Sequence, residues 1–323
     1  MTIKVGINGF GRIGRCLARI ITDERDDLEL VRINATGDEH VNNHLLNFDS
    51  VHGRWKGKLK DITTYTHSRD INLLDWHGVD VLLECTGQFR DGHQSSIHLE
   101  NGAKTVLISS PGYNVDRTVV YGVNHNDITV KDSIISSASC TTNCLAPIVK
   151  VLNDSLGIIR GSMTTIHSYT GDQATIDRRH DDLYRARAAA LSMIPTTTGA
   201  AKALKSVLPE MEGKIIGSAI RVPTPNVSCI DLHFYSEQDV DVETVNELVK
   251  TASENEMKGI IGFETRPLVS MDFNTTKESC IFAADSTLVC GKLVRVLCWY
   301  DNEWAFSNRM ADTASYIGVL NEY

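Results

Sequence analysis

The residues best suited to chemistry lie in Ser139-Cys140-Thr141-Thr142-Asn143-Cys144-Leu145-Ala146-Pro147. Small hydroxylated residues flank Cys140, leaving room for a ligand and supplying hydrogen-bond donors to it. An extended β-branched run at 133–136 precedes the motif. Apolar residues at Leu145, Ile148, Val149, Leu152 and Leu156 follow at the spacing of one helix face. Ser139 is a good N-cap, so the pattern predicts Cys140 in the first turn, where unpaired backbone N–H groups and the helix dipole favour a thiolate nucleophile. Cys144, one turn later among Leu145, Ala146 and Ile148, reads as a core thiol. A base is available in His167, which closes the β-branched run 161–167 and precedes Ser168-Tyr169-Thr170-Gly171-Asp172-Gln173.

Cations gather nearby in sequence. Asp177-Arg178-Arg179-His180 and Arg185-Ala186-Arg187-Ala188 lead to Pro195-Thr196-Thr197-Thr198-Gly199, and Arg221 stands just before Pro223 and Pro225. In an acidic chain such a concentration of Arg and Thr donors points to an anion site, because guanidinium matches phosphate in a bidentate way. The alternative is a solvated basic loop.

A second centre opens the chain. Gly9-Phe10-Gly11-Arg12-Ile13-Gly14 follows a strand pattern at 3–7 and precedes a helix predicted from Arg15 to about Ile21, with another strand at 28–33. This is the context a dinucleotide site requires: Gly9 allows the tight turn, Gly11 the approach of pyrophosphate, and Gly14 the packing of helix on strand. The alternative is a glycine-rich turn in an α/β protein without nucleotide. An NAD site usually carries Asp or Glu about 20 residues beyond the glycines, where this chain has Asn34-Ala35-Thr36-Gly37. Without that carboxylate a 2′-phosphate is not repelled, and NADP becomes admissible once a cation is supplied. The runs 79–83 and 104–108 end in Glu84-Cys85-Thr86-Gly87 and Ser109-Ser110-Pro111-Gly112, as strands of a parallel sheet with its carboxyl edge toward ligand. Thr86 and Ser109 are therefore candidate cofactor neighbours, and Arg69 is either a solvated charge or a cofactor contact.

The elements that carry these residues fit an α/β protein of two domains. With 323 residues, 42% hydrophobic and 23% charged, the chain has the balance of a soluble globular protein. A net charge of -9 argues against nucleic acid as a primary partner. Eight scattered cysteines without a C-x-x-C pair read as reduced thiols, with no disulfide framework and no metal site. No leader or long apolar run is evident, so no membrane association is expected and the cytoplasm is the expected compartment. Beyond Asn226 alternating strands at 227–235 and around Gly291, with a helix at 242–258, predict a mostly antiparallel sheet covered by helices. The segment 304–320 has helical spacing.

Taken together, the chain resembles the phosphorylating glyceraldehyde-3-phosphate dehydrogenase family nearly end to end. The motifs that carry the resemblance are Gly6-Ile7-Asn8-Gly9-Phe10-Gly11-Arg12-Ile13-Gly14-Arg15, Phe48-Asp49-Ser50-Val51-His52-Gly53, the Cys140 stretch, Arg221-Val222-Pro223-Thr224-Pro225-Asn226 and Trp299-Tyr300-Asp301-Asn302-Glu303-Trp304. The resemblance implies a homotetramer with a Rossmann-type dinucleotide-binding domain, 1–139, completed by a C-terminal helix, 303–323. The α+β catalytic domain, 140–302, is implied to hold a mostly antiparallel sheet. By the same resemblance Cys140 attacks glyceraldehyde 3-phosphate, His167 takes the proton, and inorganic phosphate cleaves the thioester left after hydride transfer. It places Thr170 and Arg221 near the substrate phosphate and Ser139, Thr141, Arg187, Thr198 and Gly199 around the attacking phosphate. Gly9, Gly11, Arg12, Ile13, Gly14, Ala35, Arg69, Ser109 and Asn302 are implied around the cofactor, with Asn302 orienting its nicotinamide amide.

Two departures bear on the choice of cofactor. Ala35 stands where NAD-specific members resemble one another in carrying Asp. Arg178-Arg179 stands where they typically carry Leu-Pro, in a loop that the family directs to the adenosine ribose of a neighbouring subunit. The pair of changes predicts NADP over NAD and a biosynthetic direction of flux; the alternative is that Arg178 and Arg179 only pair with neighbours such as Asp181. Erythrose-4-phosphate dehydrogenase shares the Cys and His motifs, but Thr196-Thr197-Thr198-Gly199-Ala200-Ala201-Lys202 is similar to the glyceraldehyde-3-phosphate type. A non-catalytic nucleotide-binding protein is the rival from another class, and retention of both Cys140 and His167 argues against it.

Overall fold

Short runs of Val, Ile and Leu in the first 136 residues become the strands of an all-parallel sheet. The computed structural model describes residues 2–321, which divide into two units: one built from the chain up to Ser139 and from Phe306 onward, the other Cys140–Ala305.

In the first unit the strand order is Thr64–Thr66, Leu28–Asn34, Ile3–Asn8, Val81–Glu84, Thr105–Ile108, Ile134–Ser136 and Arg117–Thr118. Every pairing in it is parallel. Strands Val81–Glu84 and Thr105–Ile108 are buried at every residue, as a sheet covered on both faces demands. Helices α1 (Arg12–Glu24), α2 (Glu39–Asn47) and α3 (Gly92–Glu100) belong to this unit. Helix α1 begins at Arg12 rather than at the expected Arg15, because Gly11 with extended backbone (φ -77°, ψ -155°) already serves as its N-cap. The chain's last helix, α7 (Trp304–Leu320), is tied to this unit from Phe306 onward. Arg25 bridges Asp27 and Asp312, Ser315 donates to Asp27, and a Cβ on Gly318 would meet Ile3 at 2.4 Å.

The second unit holds an eight-stranded mixed sheet in which Ile194–Thr196, Ile215–Val222, Ile158–Ser168, Ser228–Ser236, Leu293–Tyr300, Cys280–Ala283 and Ile261–Glu264 follow one another. Leu288–Cys290 pairs with Leu293–Tyr300 off that path. Two of its pairings are parallel and the others antiparallel. Helices α4 (Cys140–Leu156), α5 (Ala200–Val207) and α6 (Val242–Glu254) accompany it. Helix α6 stops at Glu254 and does not reach Lys258: Asn255 leaves helical dihedrals (φ -119°, ψ -104°) and its side-chain amide caps the Thr251 carbonyl at 2.7 Å. Among the described residues no helix is long and apolar enough to cross a membrane.

Candidate active site

Helix α4 brings its first residue, Cys140, to the site and anchors it by the opposite face. Leu145, Ile148, Val149 and Leu152 are fully buried, each worth about 1.5–3 kcal/mol of apolar transfer. Cys144 is buried among them as expected, and none of the eight cysteines is joined in a disulfide. His167 sits near the end of strand Ile158–Ser168, in direct register with Arg221 on the parallel neighbour Ile215–Val222. Two strands thus deliver the imidazole and the guanidinium side by side.

Cys140 Sγ lies 3.5 Å from His167 Nε2. His167 Nδ1 is 2.7 Å from the Ser168 carbonyl, which also accepts from Arg221 Nη1 at 3.0 Å. Arg221 Nη1, a donor only, also lies 3.1 Å from Nδ1, but the Ser168 carbonyl is the nearer partner at 2.7 Å and can only accept; with Arg221 donating to that carbonyl, Nδ1 carries the hydrogen and Nε2 presents its lone pair to the thiol. Burial, reinforced by the positive Arg221, lowers His167 to a pKa of about 3, leaving a neutral imidazole throughout the physiological range. Burial also raises the Cys140 thiol, outweighing Arg221 and the hydrogen bonds of the first helical turn. The helix start therefore does not yield a standing thiolate, contrary to the expectation from sequence. The resting pair is a thiol and a neutral base, and the thiolate forms when the proton moves between them.

Arg221 has no carboxylate partner among the described residues, and its Nε is buried without any partner. Unsatisfied guanidinium donors beside a nucleophile make an anion site. Around it, Arg185 is held by Asp172, Asp182 and Thr196. Thr170 and Thr198 are half-buried, and Thr198 Oγ1 accepts from the Ala200 N–H next to Gly199, the N-cap of α5. A Cβ on Gly217 would meet Thr198 Cγ2 at 3.3 Å, which places that threonine over the strand carrying Arg221. Arg187 instead pairs with Asp177 at 2.8 Å, and no described contact joins it to Cys140 or His167. Arg178 and Arg179 are exposed, and among the described residues neither side chain has an acidic partner, Asp181 included.

Three residues behind the pair were not assigned roles from sequence. Tyr300 OH bonds both Thr141 Oγ1 and Thr165 Oγ1 at 2.9 Å, and its ring meets the His167 ring edge-on, 5.9 Å between centroids. Ser168 and Ser228 hydroxyls both donate to Asn302 Oδ1 at 2.9 Å, which fixes the amide and leaves its Nδ2 as the donor for a ligand. Buried and half-buried residues alternate from Leu293 to Tyr300, which puts the Tyr300 ring on the inner face, but the nearly continuous apolar sequence of that strand carries no such signal. Asp301 accepts from Asn226 Nδ2 and the Thr275 and Trp304 N–H groups, and holds a turn in which Val227 adopts φ 65°. A β-branched residue in that region is strained, and such strain gathers at functional sites.

The glycine motif of the first unit opens on a cleft of about 600 Å³. Its walls include Gly9, Gly11, Ala35, Arg69 and Thr86; Ser109 stands at the adjoining strand end. Gly9 has φ 95° and a Cβ there would meet Thr86 N at 2.7 Å, while a Cβ on Gly14 would meet the Gly9 carbonyl at 2.2 Å. A Cβ on Gly11 would meet nothing within 4 Å, so its smallness serves whatever enters the cleft. These features fit a dinucleotide pyrophosphate at the start of α1, where Arg12 and Ile13 supply first-turn N–H groups. The Arg12 side chain itself is committed to Asp49, which it holds at a pKa of about 2. No Asp or Glu lines the cleft; Arg69 does, exposed and without a partner among the described residues.

Two family models match the chain. The profile of the glyceraldehyde 3-phosphate dehydrogenase NAD binding domain matches residues 3–92, and that of the glyceraldehyde 3-phosphate dehydrogenase C-terminal domain matches residues 139–302. Relatives named glyceraldehyde-3-phosphate dehydrogenase include a Cereibacter sphaeroides protein, 54% identical over 99% of this chain and all of its own length. Those of Xanthobacter flavus and Pseudomonas aeruginosa are 53% and 50% identical, covering 99% and 100% of this chain and all of their own.

Proposed function

Because the chain belongs to the glyceraldehyde 3-phosphate dehydrogenase family, we propose that it oxidises glyceraldehyde 3-phosphate to an acyl phosphate, using inorganic phosphate and a nicotinamide dinucleotide. The observation that carries the reading is Sγ of Cys140 3.5 Å from the lone-pair nitrogen of His167, with the unneutralised Arg221 beside them. As Sγ attacks the aldehyde carbon, its proton passes to His167 Nε2, and His167 hands that proton to the carbonyl oxygen to give a hemithioacetal. The bound dinucleotide supplies the hydride acceptor. Loss of hydride, with the hydroxyl proton taken by His167 Nε2, leaves a thioester on Cys140. A phosphate oxygen attacks that thioester, the C–S bond breaks, the acyl phosphate departs, and His167 returns its proton to the sulfur. Arg221 with Thr170 suits the substrate phosphate, and Ser139, Thr141, Thr198 and Gly199 suit the attacking one, which Arg187 joins only by leaving Asp177. A phosphate dianion on Arg221 offsets the charge that weakens His167 as a base, so substrate binding strengthens the base it needs.

NADP is the preferred cofactor in this reading. The cleft wall lacks the carboxylate that would repel a 2′-phosphate, Arg69 is an available cation, and Arg178 and Arg179 are unpaired among the described residues. Exposed Ile176, Leu183, Leu191, Met193 and Ile216 on the second unit support self-association into a homotetramer, and eight cysteines outside any disulfide suit the cytoplasm. Initial rates with glyceraldehyde 3-phosphate and phosphate, run with NAD and with NADP, test the proposal. Phosphate-dependent turnover with a higher kcat/KM for NADP is expected; no turnover with either cofactor, or equal rates with erythrose 4-phosphate, overturns it.

A further inference from the structure

Beneath the cleft of the first unit lies a buried carboxylate that the reaction does not use. Glu84, at the end of strand Val81–Glu84, is 1% exposed, and His98 on α3 and Trp76 behind it are fully buried. Trp76 Nε1, which can only donate, is 3.1 Å from His98 Nδ1; that nitrogen is therefore the acceptor, and His98 Nε2–H points at Glu84 Oε2, 3.1 Å away. The same oxygen accepts from Asn8 Nδ2 at 2.5 Å, while Oε1 accepts from the Thr86 N–H at 2.8 Å and from the Thr86 hydroxyl. The carboxylate thus accepts four hydrogen bonds and is bound on every side.

Its partners on the cleft side are the two turns that form the cradle. Asn8 immediately precedes Gly9, and Thr86 is the residue against which Gly9 packs so closely that no Cβ fits. From Asn8 the chain of bonds continues through Asn34 Nδ2 (2.8 Å) to the Ser68 carbonyl (3.0 Å), next to Arg69. Asn8, Asn34, Ser68, Arg69 and Thr86 all line the cleft.

We infer that Glu84 is a positioning residue for the dinucleotide: it clamps the Asn8 and Thr86 turns at the separation the pyrophosphate needs, with His98 and Trp76 fixing it from below. This rests on the dinucleotide reading of the cleft. Glu84→Gln keeps the shape but turns an NH2 toward groups that are themselves donors, so one side of the clamp is repelled. The test titrates NAD and NADP onto the full-length protein by calorimetry and measures the rate of Cys140 alkylation by iodoacetamide. In E84Q both dissociation constants should rise on the order of tenfold, with the alkylation rate of the dinucleotide-free protein unchanged. Thr86→Val, which removes one clamp donor at nearly constant shape, should raise them severalfold, and Thr86→Ser should restore them. A folded E84Q or T86V protein that binds both within twofold of wild type overturns the inference, as does an equal loss in T86S. Should E84Q not fold, the T86V and T86S pair decides alone. Wild-type protein that bound neither dinucleotide would instead remove the reading on which the inference rests.

Discussion

At the residue scale, the proposed chemistry turns on two groups whose resting forms are both neutral. Burial raises Cys140 and lowers His167, so the proton must be transferred within the pair before sulfur becomes a nucleophile. Alkylation of Cys140 in the free protein should therefore keep rising through pH 8 and beyond, about tenfold per unit while the thiol predominates. A plateau below pH 7 would mean a standing thiolate. Arg221 favours the thiolate and disfavours the imidazolium. Arg221→Leu should thus slow alkylation at pH 8 and raise the KM for glyceraldehyde 3-phosphate by more than tenfold, since a charge-assisted anchor worth about 1.5–3 kcal/mol is lost. Cys140 and His167 were legible in the sequence because a hydroxyl-rich helix start and a strand-terminal histidine are local patterns. The protonation state was not. It depends on desolvation by residues far apart in the chain, and the helix-start argument alone gave the wrong sign for Cys140.

Elements set these distances through register. The pairing His167 with Arg221 follows from two parallel strands, and the start of α4 is pinned by Tyr300, whose hydroxyl bonds Thr141 and Thr165. Tyr300→Phe should lower stability by about 1–3 kcal/mol, because two buried hydroxyls lose their shared partner. It should also reduce kcat more than the KM for dinucleotide, measurable by thermal unfolding and steady-state kinetics. The glycine motif makes a paired prediction. Gly14→Ala drives a Cβ into the Gly9 carbonyl and should both destabilise the protein, by about 1–3 kcal/mol, and abolish dinucleotide binding. Gly11→Ala, into open space, should leave the melting temperature nearly unchanged while weakening binding. Strand and helix existence was readable from apolar period and punctuation. Helix ends were misplaced where a cap decided them, at Gly11 and Asn255, and Tyr300 was missed because its partners lie on α4 and on the strand Ile158–Ser168, far away in sequence.

For the whole molecule, the proposed work divides between two units: one has a cleft with no Asp or Glu among its described lining residues, the other the pair of Cys140 and His167 with Arg221 beside it. The preference for NADP proposed above invokes Arg178 and Arg179 of the second unit and Ala35 of the first. An Ala35→Asp, Arg178→Leu double variant should move the kcat/KM ratio at least tenfold toward NAD; an unaltered ratio would assign the preference elsewhere. The glycine motif is contiguous in sequence, whereas Cys140, His167 and Arg221 come together only through α4 and two neighbouring strands. Which arginines are spent on internal pairs, as Arg187 is on Asp177, and which are free, as Arg69 is among the described residues, emerged only with the fold. The most direct measurement of the central claim is mass spectrometry of the protein mixed with glyceraldehyde 3-phosphate and oxidised dinucleotide without phosphate. A phosphoglyceroyl adduct on the peptide containing Cys140, discharged when phosphate is added, is the predicted result. Phosphate-dependent turnover by a Cys140→Ser protein, or an adduct that forms on another residue, would contradict it.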